Sequence, residues 1–569
     1  MKIDFVFRPK LVEALKNYSA QTFFADLGAG LIVGIVALPL AMALAIASGL
    51  KPEIGIFTAI IGGFLVSLLG GSRVQIGGPA GAFVPLLAPI VLLHGPEALV
   101  VCALMAGVIL FVLGACKLGS MIKYIPFPVV TGFTSGIAII ILSTQIRDFF
   151  GLQEKLPPDF FGKLHALVEN FRPNWPTTFL AMVCVLVIWF WPKKIGRRLP
   201  GSIVVILLAS LTVKFLHWNE QFGIQTLFSQ FGDMPHGLPS PHWPALSFDA
   251  WRELLPAAMT VAVLGAIESL LCAVVADGMI DDRHDSNQEL MGQGIANIVV
   301  GIFGGMPTTG VIARTATNVR SGAQTPVAGM VHALVLLGIL LAAAPLAKHI
   351  PMAALSAVLV VIALRMGEWH RFTRLSRWPR SDALVFVCAF CLTVTVDLPV
   401  AVGASLILAS ALLVRRLAET AHVDPEDEVT QGNAPGQQTA GRAIPPGVVV
   451  FRIFGAFFFG AADKLESSLR RTGELPDILI LRMRDVLALD ATGLDALEDL
   501  MEKLHRKKNT LILCGPHSQP LFALTRAGFL DRLGIENVCG DMEGSLARAR
   551  EVLDQKKKKN NVDGKNAVA

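Results

Sequence analysis

The strongest constraint in this chain is a succession of apolar runs that fills residues 26–417 and then stops. A helix needs about 20 predominantly apolar residues to cross a bilayer. Runs of that kind occur at 26–47, 53–71, 79–94, 97–116, 124–146, 178–195, 200–217, 254–276, 288–306, 326–346, 351–364, 381–397 and 399–417. A shorter element lies at 312–320, and several of the others are less than full spans. Residues 26–417 are therefore expected to form an all-α polytopic membrane domain. The composition agrees: 53% of the residues are hydrophobic and 16% charged, where a soluble domain carries about a quarter charged residues.

Residues 1–25 mix charges through their length and lack an apolar core before a cleavage site. They read as a short cytoplasmic lead, not a cleaved signal. The net charge of +5 is small. No basic patch is interleaved with aromatics, so nucleic acid is not an expected partner. Six of the eight cysteines lie in apolar segments, and the "CAFC" pair at 388–391 has no second pair. These read as packing residues, and no metal or cofactor is expected. The acidic stretch 274–289, with Asp277, Asp281, Asp282 and Asp285, does not follow a calcium-loop spacing and reads as a solvated connection.

Lysine and arginine in short loops set orientation. With a cytoplasmic N-terminus, the even-numbered connections carry Arg73, then Lys117 and Lys123, then "KKIGRR" (193–198), then five arginines in 365–380. Both termini are thus expected inside a bacterial cytoplasmic membrane. Tryptophans 175, 189, 191, 218, 243 and 251 fall near span ends, as an aromatic belt does.

Fourteen elements divide into seven plus seven. Seven is odd, so a duplicated half would be inverted in the membrane. The third element begins "GGPAGAFVPLLAPIV" and the tenth "TTGVIARTATNV". Each places glycine-containing backbone before a helical restart. Paired interrupted segments at matching positions of two halves point to a transporter binding site. Two helix starts near the midplane would aim free N–H groups and positive dipole ends at one point, which makes an anion pocket. Gly77, Gly78 and Gly81 allow close approach, Pro79 suits a helix start, and Phe83 forms an apolar wall. Ile312, Ala313 and Thr315 supply N–H groups and one hydroxyl. Arg314 is unfavourable both at bilayer depth and against the dipole unless an anion or acid lies beside it. Glu268 is the only acidic or basic residue between Glu253 and Asp277. Burial raises a carboxylate pKa and an arginine lowers it, so Glu268 is the candidate proton-coupling residue.

Past Arg415 and Arg416 the chain changes character. Residues 418–446 are polar, with Gly and Pro, and read as a linker. Residues 447–555 alternate strand-like runs ("VVVFRIFG", "AFFFG", "DILILRM", "NTLILCG") with helix-like ones, which argues a small α/β domain. Residues 556–569 read as a disordered basic tail.

"GAIESLLCAVVADGM" (265–279), "GVIARTATNVRSGAQTPVAG" (310–329) and "LDATGL" (489–494) together resemble the SulP sulfate-permease family, with a C-terminal STAS domain. The likeness is nearest to the DauA-like C4-dicarboxylate subgroup and covers about residues 20–553. It implies 14 transmembrane segments in two inverted repeats of seven, a core and a gate, elevator-like movement and a homodimer. It also implies substrate contacts at Pro79, Ala80, Gly81, Ala82, Phe83, Ala313, Arg314 and Thr315, and an acidic position at Glu268. Two positions depart from the family pattern. Leu40 stands after Pro39 where many eukaryotic members have glutamine, and Thr492 is the only hydroxyl in the STAS turn.

The expected activity is secondary active, proton-coupled transport of a small anion: C4-dicarboxylate, sulfate or bicarbonate. The alternatives are an uncoupled anion channel or exchanger on the same fold, and a membrane-anchored signalling protein working through its STAS domain with a cytoplasmic partner. No nucleophile–base pair or phosphate loop suggests an enzyme.

Overall fold

The computed structural model describes residues 7–120, 126–153, 157, 160–192, 200–233, 235, 237–241, 243–244, 247–396, 398–420, 422–425, 444–471 and 476–566. It divides into two compact units, Met1–Ala409 and Ser410–Ala569. "KKIGRR", Lys123 and most of the expected linker lie outside the described residues.

Fourteen helices of the described residues follow the fourteen apolar elements in order. They are α1 Ala20–Ala47, α2 Pro52–Leu69, α3 Val84–His94, α4 Glu97–Ala115, α5 Phe127–Phe150, α6 Trp175–Trp189, α7 Gly201–Phe215, α8 Phe248–Ile280, α9 Ser286–Ile302, α10 Ile312–Arg320, α11 Val327–Ala347, α12 Met352–Met366, α13 Arg380–Thr395 and α14 Leu398–Thr420. Proline opens several of them at the first turn, where its missing N–H costs nothing: Pro52, Pro85, Pro128 and Pro176. The amphipathic helix Phe160–Asn170 and shorter turns lie between. Seven of the described helices are individually long and apolar enough to cross a membrane.

Two sets of helices pack together. In the first, α1 lies against α2 and α11, and α4 against α9 and α8. In the second, α5 lies against α12 and α13, with α6 against α12. Lipid offers no hydrophobic drive between helices, so small residues and close backbone approach hold such packing. At the α4–α9 contact a Cβ on Gly107 would sit 2.6 Å from the Gly294 carbonyl oxygen. Any side chain there would force the helices apart.

The two halves meet in a pair of two-residue strands, β1 Gly77–Gly78 and β2 Thr309–Gly310. They pair antiparallel, Gly77 with Gly310 and Gly78 with Thr309. Equivalent strands paired antiparallel are related by a local two-fold axis, which is the symmetry an inverted duplication requires. Pro79 and Ala80 remain outside regular structure, Gly81–Phe83 form a 3₁₀ turn, and α3 begins only at Val84. The proline of the helix start is therefore Pro85, not Pro79.

The second unit holds a five-stranded sheet of order β3-β4-β5-β6-β7: His422–Pro425, Val448–Phe457, Ile478–Leu489, Thr510–Cys514 and Val538–Cys539. β3 is antiparallel to β4, and the rest are parallel. Helices α15 Phe459–Arg471, α16 Ala491–Arg506, α17 Ser518–Arg526, α18 Phe529–Leu533 and α19 Met542–Asn566 complete it. Three expectations change here. "VVVFRIFG" and the start of "AFFFG" form one bulged strand, with Gly455 at φ +92 absorbing the irregularity. The expected linker contains β3, because backbone pairing with β4 does not require apolar side chains. The basic tail continues α19 as far as Asn566. At the 489–494 turn the Asp490 carboxylate caps α16 by accepting from the Gly493 N–H at 2.8 Å.

Candidate anion site

The β1–β2 bridge places the starts of α3 and α10 side by side. The pairing extends past the strands: the Val311 N–H donates to the Ile76 carbonyl at 2.9 Å. Further braces come from the surrounding helices. Asn297 on α9 donates to the Thr308 carbonyl and accepts from the Thr308 N–H, both at 2.9 Å. The Thr309 hydroxyl donates to the Gly265 carbonyl of α8 at 2.9 Å. The Met306 N–H donates to the Thr58 hydroxyl of α2 at 2.9 Å.

Neither restart has a side-chain cap. Among the described residues, no acceptor meets the N–H groups of Gly81 and Ala82 or of Ile312, Ala313 and Arg314. Orphan N–H groups of this kind are the positive end of a helix dipole. Phe83 is fully buried, and its ring edge lies 3.4 Å from the position a Cβ would take on Gly265 of α8. Pro79, Ala80 and Ala82 are buried, and Gly81 is half-buried. Around Gly81 stand Ile141 of α5, Leu44 of α1 and Met366 of α12. The third element thus borders both helix sets. Ile312 and Ala313 are exposed.

Arg314 is 1% exposed, and none of its three guanidinium nitrogens has a hydrogen-bond partner. The side chain lies along β1: a Cβ on Gly78 would come within 2.5 Å of Nη1 and 3.8 Å of the Ala59 Cα on α2. Only glycine leaves that space at position 78. Glu268 is half-buried on α8, and its Oε2 has no hydrogen-bond partner either. Among the described residues it makes no ion pair with Arg314.

The Thr315 hydroxyl accepts from the Ile76 N–H at 3.0 Å and from the Cys272 thiol at 3.2 Å, so it braces the strand leading into β1.

Sequence reasoning missed several buried ionisable groups, among them His332, Asp26 and Glu289. His332 of α11 is fully buried, with both ring nitrogens unpartnered, and its Cε1 lies 3.1 Å from the position a Cβ would take on Gly63 of α2. It is the only ionisable residue between Arg320 and Lys348. The test that singled out Glu268 would also have found it. Asp26 of α1 is fully buried and accepts from the N–H groups of Gln324 and Thr325, from the Thr325 hydroxyl, and from Tyr18. Glu289 of α9 is 1% exposed. It ends the stretch read as a solvated connection, and that reading needs correction. Within the same stretch, Asp277 accepts from the His284 backbone N–H at 3.0 Å and contacts His284 Nδ1 at 2.7 Å. His284 Nε2 in turn lies 2.9 Å from the Ser286 hydroxyl. The adjacent first-turn N–H groups, of Asn287 and Gln288, are taken by the Asp285 carboxylate. This chain of bonds fastens the start of α9.

The pattern of the sulfate permease family matches residues 23–389, and that of the STAS domain matches 442–542. The chain is 39% identical over 521 residues to the putative sulfate transporter YvdB of Bacillus subtilis, covering 91% of this chain and 96% of that one. The solved transmembrane domain of a cyanobacterial bicarbonate transporter, BicA, is 30% identical, with a TM-score of 0.62 over 69% of this chain and 98% of its own. The structure of SLC26A9 shares the fold at a TM-score of 0.86, covering 96% of this chain and 93% of that one, with 17% identity. This chain is a member of the sulfate permease family: a membrane anion transporter with a C-terminal STAS domain.

Proposed function

We propose that the chain is a secondary active, proton-coupled carrier of small oxyanions or carboxylates. Residues 79–83 and 312–314 form the binding site, and Glu268 is the coupling acid. One observation carries this reading. Two opposite charges lie near the bridge with open polar atoms: Arg314 is buried with none of its guanidinium nitrogens partnered, and half-buried Glu268 has an unpartnered Oε2. A buried unpaired charge is costly. An anion completes Arg314 and the five free N–H groups, and a proton completes Glu268. One anion and one proton together restore a satisfied, nearly neutral core that can move as a unit, as elevator transport requires. The division into two helix sets, with Gly81 between them, supports the same movement.

The relatives are named for sulfate and bicarbonate, and the pocket chemistry also admits one carboxylate of a C4-dicarboxylate. We place the chain in a bacterial cytoplasmic membrane as a homodimer, with both termini inside.

The test is uptake into proteoliposomes of labelled sulfate, bicarbonate or succinate with and without an inward proton gradient. Accumulation that follows the gradient in the wild type, and is lost in Glu268→Gln, is the expected result. Uptake indifferent to the gradient, with a steady anion current in planar bilayers, would mean an uncoupled conductor.

A further inference from the structure

We propose that Glu289 is the positioning residue of the anion site: its buried carboxylate ties the segment entering β1 to the turn of α8 that carries Glu268. The proposal rests on the reading of residues 79–83, 312–314 and Glu268 as that site.

Five donors converge on Glu289. Oε2 accepts from the backbone N–H groups of Gly71 and Ser72 at 2.8 and 3.2 Å. Oε1 accepts from Gln75 Nε2 at 3.0 Å, the Ser269 hydroxyl at 2.9 Å and Gln293 Nε2 at 3.0 Å. Gln75 Nε2 also donates to Ser269 Oγ at 2.8 Å. The donors come from three places: the loop after α2, the middle of α8 and α9 itself. Gly70 and Gly71 make room, since a Cβ on Gly70 would stand 2.7 Å from Oε2.

All five contacts are donors, and no cation of the described residues pairs with this carboxylate. Only an acceptor-only group satisfies them all, and that is an ionised carboxylate. An amide at 289 would turn an NH₂ toward either the Gly71–Ser72 pair or the Gln75–Ser269–Gln293 trio. Gln75 is two residues from β1, and Ser269 is peptide-bonded to Glu268. Losing the hub frees both at once. The starts of α3 and α10 then lose their set distance from Glu268, although every ligand-contacting group is still present.

The experiment compares full-length wild type, Glu289→Gln, Glu289→Asp and Gln75→Ala in proteoliposomes, with sulfate and bicarbonate as probes across a pH series. We expect Glu289→Gln to raise the transport KM about tenfold, with the saturating rate within about twofold, and to displace the pH profile. Glu289→Asp should recover part of the affinity. Gln75→Ala removes one donor and should raise KM roughly threefold in the same direction; it decides the matter if Glu289→Gln does not reach the membrane. A fall in saturating rate with KM and pH profile unchanged would show Glu289 to be only a structural tie. So would wild-type kinetics in both substitutions. Arg314→Gln and Glu268→Gln serve as references. If they too leave transport unaltered, the site assignment itself fails; if they cripple it while Glu289→Gln is silent, only this proposal does.

Discussion

Glu268 and Glu289 are both neighbours of Ser269, one through a peptide bond and the other through a hydrogen bond. Glu289 accepts from five donors. Glu268 has a buried oxygen with no partner at all. The same contrast separates Asp26, closed by four contacts, from Arg314, with three open nitrogens. Buried polar groups are hydrogen-bonded as a rule, so the exceptions carry meaning. In this core the satisfied acids hold segments together, while Arg314 and Glu268, on the proposed reading, keep open atoms for a ligand and a proton. On that reading, charge in this membrane core has two uses, and a residue's partners distinguish them.

That contrast can be broken most directly at Arg314. Arg314→Gln should lower uptake at least roughly thirtyfold, the scale of truncating a desolvated charged contact, in initial-rate measurements on purified protein. A wild-type KM would remove Arg314 from the unsatisfied, ligand-facing class. Next comes Glu268→Gln: the stimulation given by an inward proton gradient should disappear while substrate exchange at equal pH persists. Persistent accumulation against a gradient would assign Glu268 to the same structural role as Glu289.

Asp26→Asn sharpens the satisfied side. Oriented hydrogen bonds to a buried carboxylate are lost, and thermal unfolding in detergent should report about 2 kcal/mol of destabilisation, with KM and gradient dependence intact. A changed coupling ratio would erase the distinction between the two kinds of acid. In the STAS unit, Asp490→Ala removes a helix cap and should cost about 1 kcal/mol, visible as faster amide exchange in 491–506 with transport unaffected. The smallest effect concerns thiols. Burial pushes the Cys514 thiol up, which leaves less thiolate at a given pH, whereas Cys116 is exposed. Maleimide should modify Cys116 at least about tenfold faster than Cys514.

The pattern of the apolar runs was legible because a bilayer imposes its length on every helix, and because each half breaks at its third element for the same reason. Glu268 and Arg314 were legible as lone charges in apolar stretches. Glu289 was not. It sits among Asp285, Asn287 and Gln288, and an acid near a helix start is ordinarily solvated. Its burial follows from α2 ending opposite it with two glycines, a juxtaposition 218 residues apart in sequence. The bracing role of Thr315 was not legible for the related reason that a hydroxyl's partner is chosen by whichever strand lies beside it, here Ile76.

From its residues alone, then, the chain determines that it crosses a membrane many times, that its halves repeat, and that the third and tenth elements are interrupted before their helices begin. Those properties follow from local solvation and period, which each segment carries for itself. Which buried charges are closed and which stay open was decided only when the bridge brought distant segments within hydrogen-bond range. Satisfaction is a property of neighbours in space, and no linear pattern contains it.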